Sequence, residues 1–209
     1  MIRIVIADDH AIVRQGLKQI LEENADMRVV AEARNGSEVL PLLRANDCSV
    51  LLLDISMPEM SGIAVLKLVR EEMPALPVLI LSIYAEDQYA VRLVRSGAAG
   101  YMTKESAPAE VVDAVRRVAR GGKYISAAVA RMLNDNSVAS SVQSPDQLLS
   151  GREYQIFLLL SAALTVSEVA RDLKLSVNTV STYRKRILEK LNLQNNAELM
   201  RYAVREHLA

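Results

Sequence analysis

Five polar residues in this sequence share one placement, each standing just past a short apolar run. Asp8 and Asp9 follow the run from Ile2 to Ala7, Asp54 follows Val50-Leu51-Leu52-Leu53, Ser82 follows Val78 to Leu81, and Lys104 follows Gly100-Tyr101-Met102-Thr103. An unbroken run of four apolar residues suits a strand covered on both faces, as in a parallel sheet between helices. Parallel strands put their carboxyl ends on one rim, where ligands bind in open α/β sheets, so these groups converge although they are far apart in sequence. Three carboxylates brought together repel and push one another's pKa up unless a cation shares the site. Oxygen ligands on a rim open to water suit Mg²⁺, a hard ion that keeps several waters and is held by one or two carboxylates plus phosphoryl oxygens. Singly, each residue has an ordinary use: Asp54 as a turn former or helix cap, Ser82 as a strand-end cap, Lys104 as a solvated loop charge and Tyr101 as a half-buried strand aromatic. Their conjunction singles them out.

Helices must alternate with these strands to put the groups on one rim, and the apolar spacing does alternate. Val13, Leu17, Ile20 and Leu21 mark one helix face, Val39, Leu40 and Leu43 a second, and Ile63, Leu66 and Val69 a third. Ala90, Val91 and Val94 mark a fourth and Val111, Val112, Val115 and Val118 a fifth, with Val29-Val30-Ala31 as the remaining strand. Five βα units with right-handed crossovers predict an α/β fold built on a doubly wound, parallel five-stranded sheet. Met57-Pro58 and Ser61-Gly62 read as the loop leading from Asp54 into the third helix. No G-x-G-x-x-G follows the first strand and no Walker lysine loop is present, so nucleotide binding lacks its usual signal.

Beyond Gly121-Gly122 the spacing predicts a short helix over 127–133, and then Asn134 to Pro145, rich in Asn, Ser and Asp, has a linker's composition. The expected division is residues 1–121, a linker with a short helix over 122–146, and a second, smaller all-α domain over 147–209. In that last part Ser150 to Ser161 carries Tyr154, Phe157 and Leu158 as a core face, and Thr165-Val166-Ser167-Glu168 is a capping box opening a helix that runs to Leu173. Ser176 caps a third helix through about Leu191, and Asn195-Asn196-Ala197-Glu198 opens a fourth that ends near His207. A helix, a short turn and a helix bearing Arg184, Lys185, Arg186 and Lys190 make the pattern of a helix-turn-helix whose second helix enters the DNA major groove.

Composition bounds the rest. The 209 residues, 51% hydrophobic, make room for two ordinary domains with their own cores. Residues 1–125 carry 15 Lys+Arg against 17 Asp+Glu, a net −2, whereas residues 147–209 carry 9 against 6, a net +3, which permits nucleic-acid binding in the second part. No apolar run reaches the roughly 18 residues of a membrane span, and the amino terminus enters a strand without a signal peptide's regions, so the expected location is cytoplasmic with no membrane partner. Cys48 reads as a packing residue in a reducing compartment, and His10 and His207 are too far apart in sequence to suggest a zinc site.

These residues resemble the bacterial two-component response regulators of the NarL/LuxR (FixJ-like) family, which join a CheY-like receiver to a LuxR-type helix-turn-helix domain. The receiver likeness rests on Asp8-Asp9, Asp54, Ser82, Tyr101 and Lys104. The LuxR likeness rests on Leu149-Ser150-Gly151-Arg152-Glu153, Glu168-Val169-Ala170, Leu175-Ser176-Val177, Thr179-Val180 and Ile187-Leu188-Glu189-Lys190-Leu191. The resemblance implies that Asp54 accepts a phosphoryl group from a sensor histidine kinase. It further implies that Asp8, Asp9 and Asp54 hold Mg²⁺ with help from the backbone carbonyl of Ser56, that Lys104 and Ser82 contact the phosphoryl group, and that Tyr101 moves from an outward position on activation. On double-stranded DNA it implies that Ser181, Thr182 and Lys185 face bases, with Thr179, Arg184, Arg186 and Lys190 on phosphates. A homodimer is the expected phosphorylated form. The chain departs from the pattern at Tyr183, where histidine is frequent, Asn196, where arginine is, Ala163, where glycine is, and Ile83, bulkier than the usual small residue and able to slow dephosphorylation.

Chemistry supports those roles independently. A carboxylate is a poor nucleophile towards an anionic phosphoryl group, so a metal and a cation such as Lys104 must neutralise the charge on the transferring oxygens. The reading is a phosphorylation-dependent transcription regulator and no enzyme beyond promoting its own dephosphorylation. Two rivals stand beside it: a DNA-binding or adaptor protein that works without phosphorylation, and a phosphohydrolase with Asp54 as nucleophile. The haloacid-dehalogenase-like form of the latter needs a second acid where this chain has Ser56.

Overall fold

The structure is a computed structural model that describes residues 1–83, 86–134 and 149–205. Two compact units, Met1–Asp135 and Asn136–Ala209, are described in turn.

The first unit runs β1 (Ile2–Ala7), α1 (Ala11–Glu22), β2 (Met27–Ala33), α2 (Gly36–Ala45), β3 (Val50–Asp54), α3 (Gly62–Glu72), β4 (Val78–Ser82), α4 (Glu86–Arg95), β5 (Gly100–Thr103), α5 (Pro108–Ala119) and α6 (Ala127–Asn134). All four strand pairings are parallel, in the order β2-β1-β3-β4-β5, the doubly wound arrangement the sequence predicts. Every residue of β3 and β4 is buried, as central strands between two helical layers require. Alternation divides them: Ile4, Ile6, Leu52, Leu79, Leu81 and Met102 pack with Leu17 and Leu21 of α1 and Val111, Val115 and Val118 of α5 in one continuous core. Strand β2 is longer than the three residues expected. It lies at the sheet's edge, where its alternation of buried Met27 and Val29 with exposed Arg28 hides it from a search for continuous apolar runs.

The first unit also reaches past residue 121, the boundary drawn from sequence. Tyr124 bridges to Gly100, its N–H donating to the Ala99 carbonyl while its own carbonyl accepts from Tyr101, and α6 packs against α4. Residues 122–134 are therefore bound to the sheet edge and α4. The rest of the expected linker, and His207, lie outside the described residues.

The second unit contains α7 (Gly151–Ser161), α8 (Val166–Asp172), α9 (Val177–Lys190) and α10 (Asn196–Arg205). Ser150 and Thr165 both close the capping boxes that start α7 and α8, and the Ser176 side chain accepts from Thr179 N–H to start α9. Helix α7 is the centre, packed by the other three, with Phe157 against Tyr154 and edge-on to Tyr202. Ala163, after α7, has φ 65°, the left-handed region that glycine fills without cost.

Candidate functional site

Strand register brings the first set of predicted residues together. Ala7 stands opposite Leu53, so Asp8 and Asp54 leave β1 and β3 side by side. Ser82 stands opposite Thr103, and the N–H of Lys104 donates to the Ser82 carbonyl at 2.7 Å, which roots the lysine on the same rim. Its Nζ lies 2.6 Å from Asp8 Oδ2 and 2.9 Å from Asp54 Oδ2. Asp8 and Asp54 are 1% and 2% exposed, so the lysine bridges two carboxylates withdrawn from water. The other Asp54 oxygen accepts from Ser56 N–H at 3.2 Å. Gly62 makes room for this turn: a Cβ there would lie 2.0 Å from the Asp54 carbonyl oxygen, so only glycine lets α3 start so close behind the acid.

Electrostatically the site is short of positive charge. Three carboxylates, counted as ionised, against one ammonium leave two negative charges, the complement of a divalent cation. Burial, seconded by the Asp8 charge, pushes the Asp54 carboxyl up in pKa against the opposing pull of Lys104. Burial alone would lower Lys104, but Asp54 and Asp8 outweigh it and raise it instead. Ligand atoms of Asp8, Asp9, His10 and Asp54 lie within 4.8 Å of one another, so this group can hold a metal ion, and its carboxylate oxygens fit a hard one.

Two neighbours escaped the sequence reading. His10 sits against both members of the acidic pair, its Nδ1 3.1 Å from Asp8 Oδ1 and 2.8 Å from Asp9 Oδ1. Arg14, buried on α1, donates from Nη1 to the Asp8 carbonyl at 2.7 Å and faces Glu32 of β2, so α1 and β2 together hold the Asp8 backbone. The only signal in the sequence was adjacency, His10 next to the pair and Arg14 one helical turn on.

Tyr101 requires a correction. It is 2% exposed, so the outward starting position is not the one found here. Burying so large a ring is favourable, and the Tyr124–Ser126 segment lies alongside it, lining with it a cleft of about 340 Å³. Ser82 is buried on the neighbouring strand, and Ile83, 65% exposed, stands at the rim beyond it.

In the second unit, α9 presents Val177, Asn178, Ser181, Thr182 and Lys185 along one exposed face. Thr182 Oγ1 donates to the Asn178 carbonyl and Thr179 Oγ1 shares a 2.7 Å hydrogen bond with Ser176 Oγ. The cations differ in their commitments. Lys185 lies 3.8 Å from exposed Glu189, and Arg184 donates from Nε to Asn196 Oδ1 at 2.6 Å. Lys190 donates at 2.7 Å to Glu153, a buried acid of α7. Burial alone would raise Glu153, yet Lys190 and the Ser150 N–H outweigh it and hold its carboxyl below the usual range.

Residues 4–116 match the family model described as the response regulator receiver domain, and residues 147–203 match that of the bacterial regulatory proteins of the luxR family. The chain is a response regulator of the LuxR family. It is 35% identical to the response regulator UvrY of Escherichia coli over 209 residues, covering all of this chain and 96% of that one. It is 39% identical to the response regulator GacA of Pseudomonas viridiflava over 206 residues, covering 98% and 96%. Among solved structures it resembles RcsB from Salmonella enterica serovar Typhimurium bound to promoter P1flhDC in the presence of phosphomimetic BeF3-, with a TM-score of 0.61, 26% identity and coverage of 96% of this chain and 97% of that one. The regulator's sheet and its helical second unit are thus those of a receiver and a LuxR-type DNA-binding domain. Among the described residues no helix is long and apolar enough to cross a membrane.

Proposed function

We propose that the regulator is switched by phosphorylation of Asp54 and acts on double-stranded DNA as a homodimer, with a sensor histidine kinase as phosphoryl donor and a cytoplasmic place of work. One observation carries the acceptor assignment: Asp54 is the acid that combines a fully buried strand behind it, Lys104 at 2.9 Å and Asp8 beside it. In the transfer an Asp54 oxygen forms a bond to phosphorus as the donor's P–N bond breaks. Mg²⁺, when bound, would supply neutralisation of the charge on the transferring oxygens. Lys104 follows the charge from the carboxylate to the phosphoryl group, and the buried Ser82 hydroxyl donates to one of its oxygens. Asp8, Asp9 and Asp54 would hold the metal with the Ser56 carbonyl. Exposed Ile83 narrows the approach of attacking water and slows the regulator's own dephosphorylation.

The receiver function belongs to residues 1–121, onto which 122–134 pack, and DNA binding to 147–209. Ser181, Thr182 and Lys185 of α9 read bases, and Thr179, Arg184 and Arg186 contact phosphates. Lys190 ranks last among the phosphate contacts, because its ammonium already satisfies Glu153. Lys185→Ala accordingly changes preference among operator variants. Lys190→Ala does more to the domain's fold than to its salt dependence, leaving Glu153 buried without its cation. Operator titrations paired with thermal melts check both. A Lys190 variant of native stability that loses a unit of salt slope would return this lysine to the phosphate set.

Phosphorylation raises affinity for a paired site more than for a single half-site, since a two-fold dimer matches half-sites about one helical turn apart. Coupling requires a differential contact between two states, for which Ser82 and buried Tyr101 supply the local change. Full-length protein is incubated with a small phosphodonor and Mg²⁺, then examined by sedimentation and DNA titration. Unchanged oligomeric state and unchanged affinities after confirmed phosphorylation would favour the reading in which the protein binds DNA without the switch. Tyr101→Ala, phosphorylated normally, blunts the gain.

A further inference from the structure

The carboxylates account for an oxygen set, but His10 lies inside the same group of ligand atoms. Its Nδ1 is 3.1 Å from Asp8 Oδ1 and 2.8 Å from Asp9 Oδ1, and its main-chain N–H donates to that same Asp8 oxygen at 2.8 Å. The main-chain bond ties residue 10 to the metal-facing acid, so the ring is held at the start of α1 by its own backbone. About half of the side chain is exposed, and Nδ1 faces the two acids.

Those two separations suit ligands that share an ion. With metal–ligand bonds of about 2.1 Å, two donors at right angles on an octahedral ion stand about 3.0 Å apart. Nitrogen–oxygen distances of 2.8 and 3.1 Å fall on either side of that figure. Imidazole nitrogen is a borderline donor preferred by first-row transition ions, whereas Mg²⁺ takes oxygen and dehydrates reluctantly. A neutral nitrogen added to two carboxylates therefore favours a transition ion more than it favours Mg²⁺.

We propose that His10 is a metal ligand through Nδ1, making with Asp8 and Asp9 a mixed nitrogen–oxygen site that takes Mn²⁺ and its heavier neighbours more tightly than an all-oxygen set would. This rests on the reading of the acidic pair as a metal site. Coordination through Nδ1 leaves the ring's hydrogen on Nε2. His10 then sets which divalent ion charges the receiver, beyond the role of the three aspartates.

Mn²⁺ is the probe. Full-length protein is titrated with Mn²⁺ and with Mg²⁺ by calorimetry, and the Mn²⁺-loaded protein is examined by pulsed electron paramagnetic resonance for coupling to a ligand ¹⁴N. The expected result is nitrogen coupling in the wild type that is lost in His10→Gln, with Mn²⁺ affinity falling on the order of tenfold and Mg²⁺ affinity by less than about twofold. Mn²⁺ bound without nitrogen coupling in the wild type overturns the ligand assignment and leaves the acidic site standing, His10 being then only a hydrogen-bond partner of the two acids. Coupling that survives in His10→Gln overturns it too, by naming another nitrogen. If neither ion binds, the metal-site reading falls along with it. The wild-type spectrum alone decides the first point, and His10→Asn, which keeps the main-chain N–H to Asp8, repeats the test should His10→Gln be unstable.

Discussion

Asp54→Asn protein, incubated with a small phosphodonor and Mg²⁺, gains no phosphoryl mass, and in a metal-free buffer at neutral pH its first unit melts a few degrees above the wild type. The two outcomes have one cause. Asp54 is buried beside Asp8, and that surrounding raises its pKa in spite of Lys104. A carboxyl with a raised folded-state pKa keeps its proton at pH values where the unfolded chain releases it. Stability therefore falls as pH rises from the ordinary carboxyl value through the raised one, and stays reduced above it. Asparagine removes that loss while keeping an oxygen to accept from Ser56 N–H, and it leaves Lys104 on Asp8. A gain of 1 kcal/mol moves the midpoint of a unit this size by roughly 4 °C. The two melting curves should converge as pH falls below the usual carboxyl range, where both proteins are uncharged at this position. Mg²⁺ should narrow the gap from the other side, since it gives the wild-type carboxylate a partner. Phosphoryl uptake by the variant equal to wild type would remove Asp54 as acceptor, and a lower melting point would show that Lys104 outweighs burial.

Much of this site was legible because a fully buried strand leaves an unmistakable apolar run and because a parallel sheet has one functional rim. Val50 to Leu53 located β3, the carboxyl-end rule located Asp54, and the other strands then had to deliver Asp8, Asp9, Ser82 and Lys104 to the same edge. Strand β2 was only half legible, since an edge strand alternates and its pairing partner, β1, does more than its own composition to define it. The role of α6 was not legible at all. Its apolar spacing predicted a helix, but nothing local says that Tyr124 will bridge to Gly100 and draw that helix onto α4. The same holds for side chains whose partners lie far away in sequence. Lys190 reads as one more cation on a basic helix until the fold brings Glu153 to it, and nothing in the spacing singles out Arg14, which the fold places on the Asp8 carbonyl just past β1. Tyr101 is the instructive miss. Its switch role was implied by the resemblance alone, whereas its burial at 2% exposure is a tertiary outcome that the sequence does not carry.

Lys104→Met should produce the opposite thermal effect to Asp54→Asn, and a larger one. Methionine keeps the length and most of the packing of the lysine stem, so what is lost is the charge that lies 2.6 Å from Asp8 and 2.9 Å from Asp54. Removing one member of a buried ionic group leaves the others uncompensated and costs about 3–5 kcal/mol, considerably more than an exposed pair is worth. Both carboxylates are nearly inaccessible to water, so solvent cannot make up the difference. In chelator the variant's first unit should therefore melt well below the wild type. Acid should rescue it, because protonating either carboxyl removes the repulsion that the lysine had countered. Mg²⁺ should rescue it as well, since an ion that binds only the folded state stabilises by RT ln(1 + [Mg²⁺]/Kd), about 2.7 kcal/mol at a hundredfold excess over Kd. The ion should also bind the variant more tightly than the wild type, having no ammonium to compete with for Asp8 and Asp54. A scanning-calorimetry series across Mg²⁺ concentrations reads both quantities together. A midpoint within a degree of wild type in chelator would mean that the carboxylates do not depend on Lys104. A Mg²⁺-induced shift no larger than the wild type's would mean that the lysine and the metal occupy separate parts of the rim.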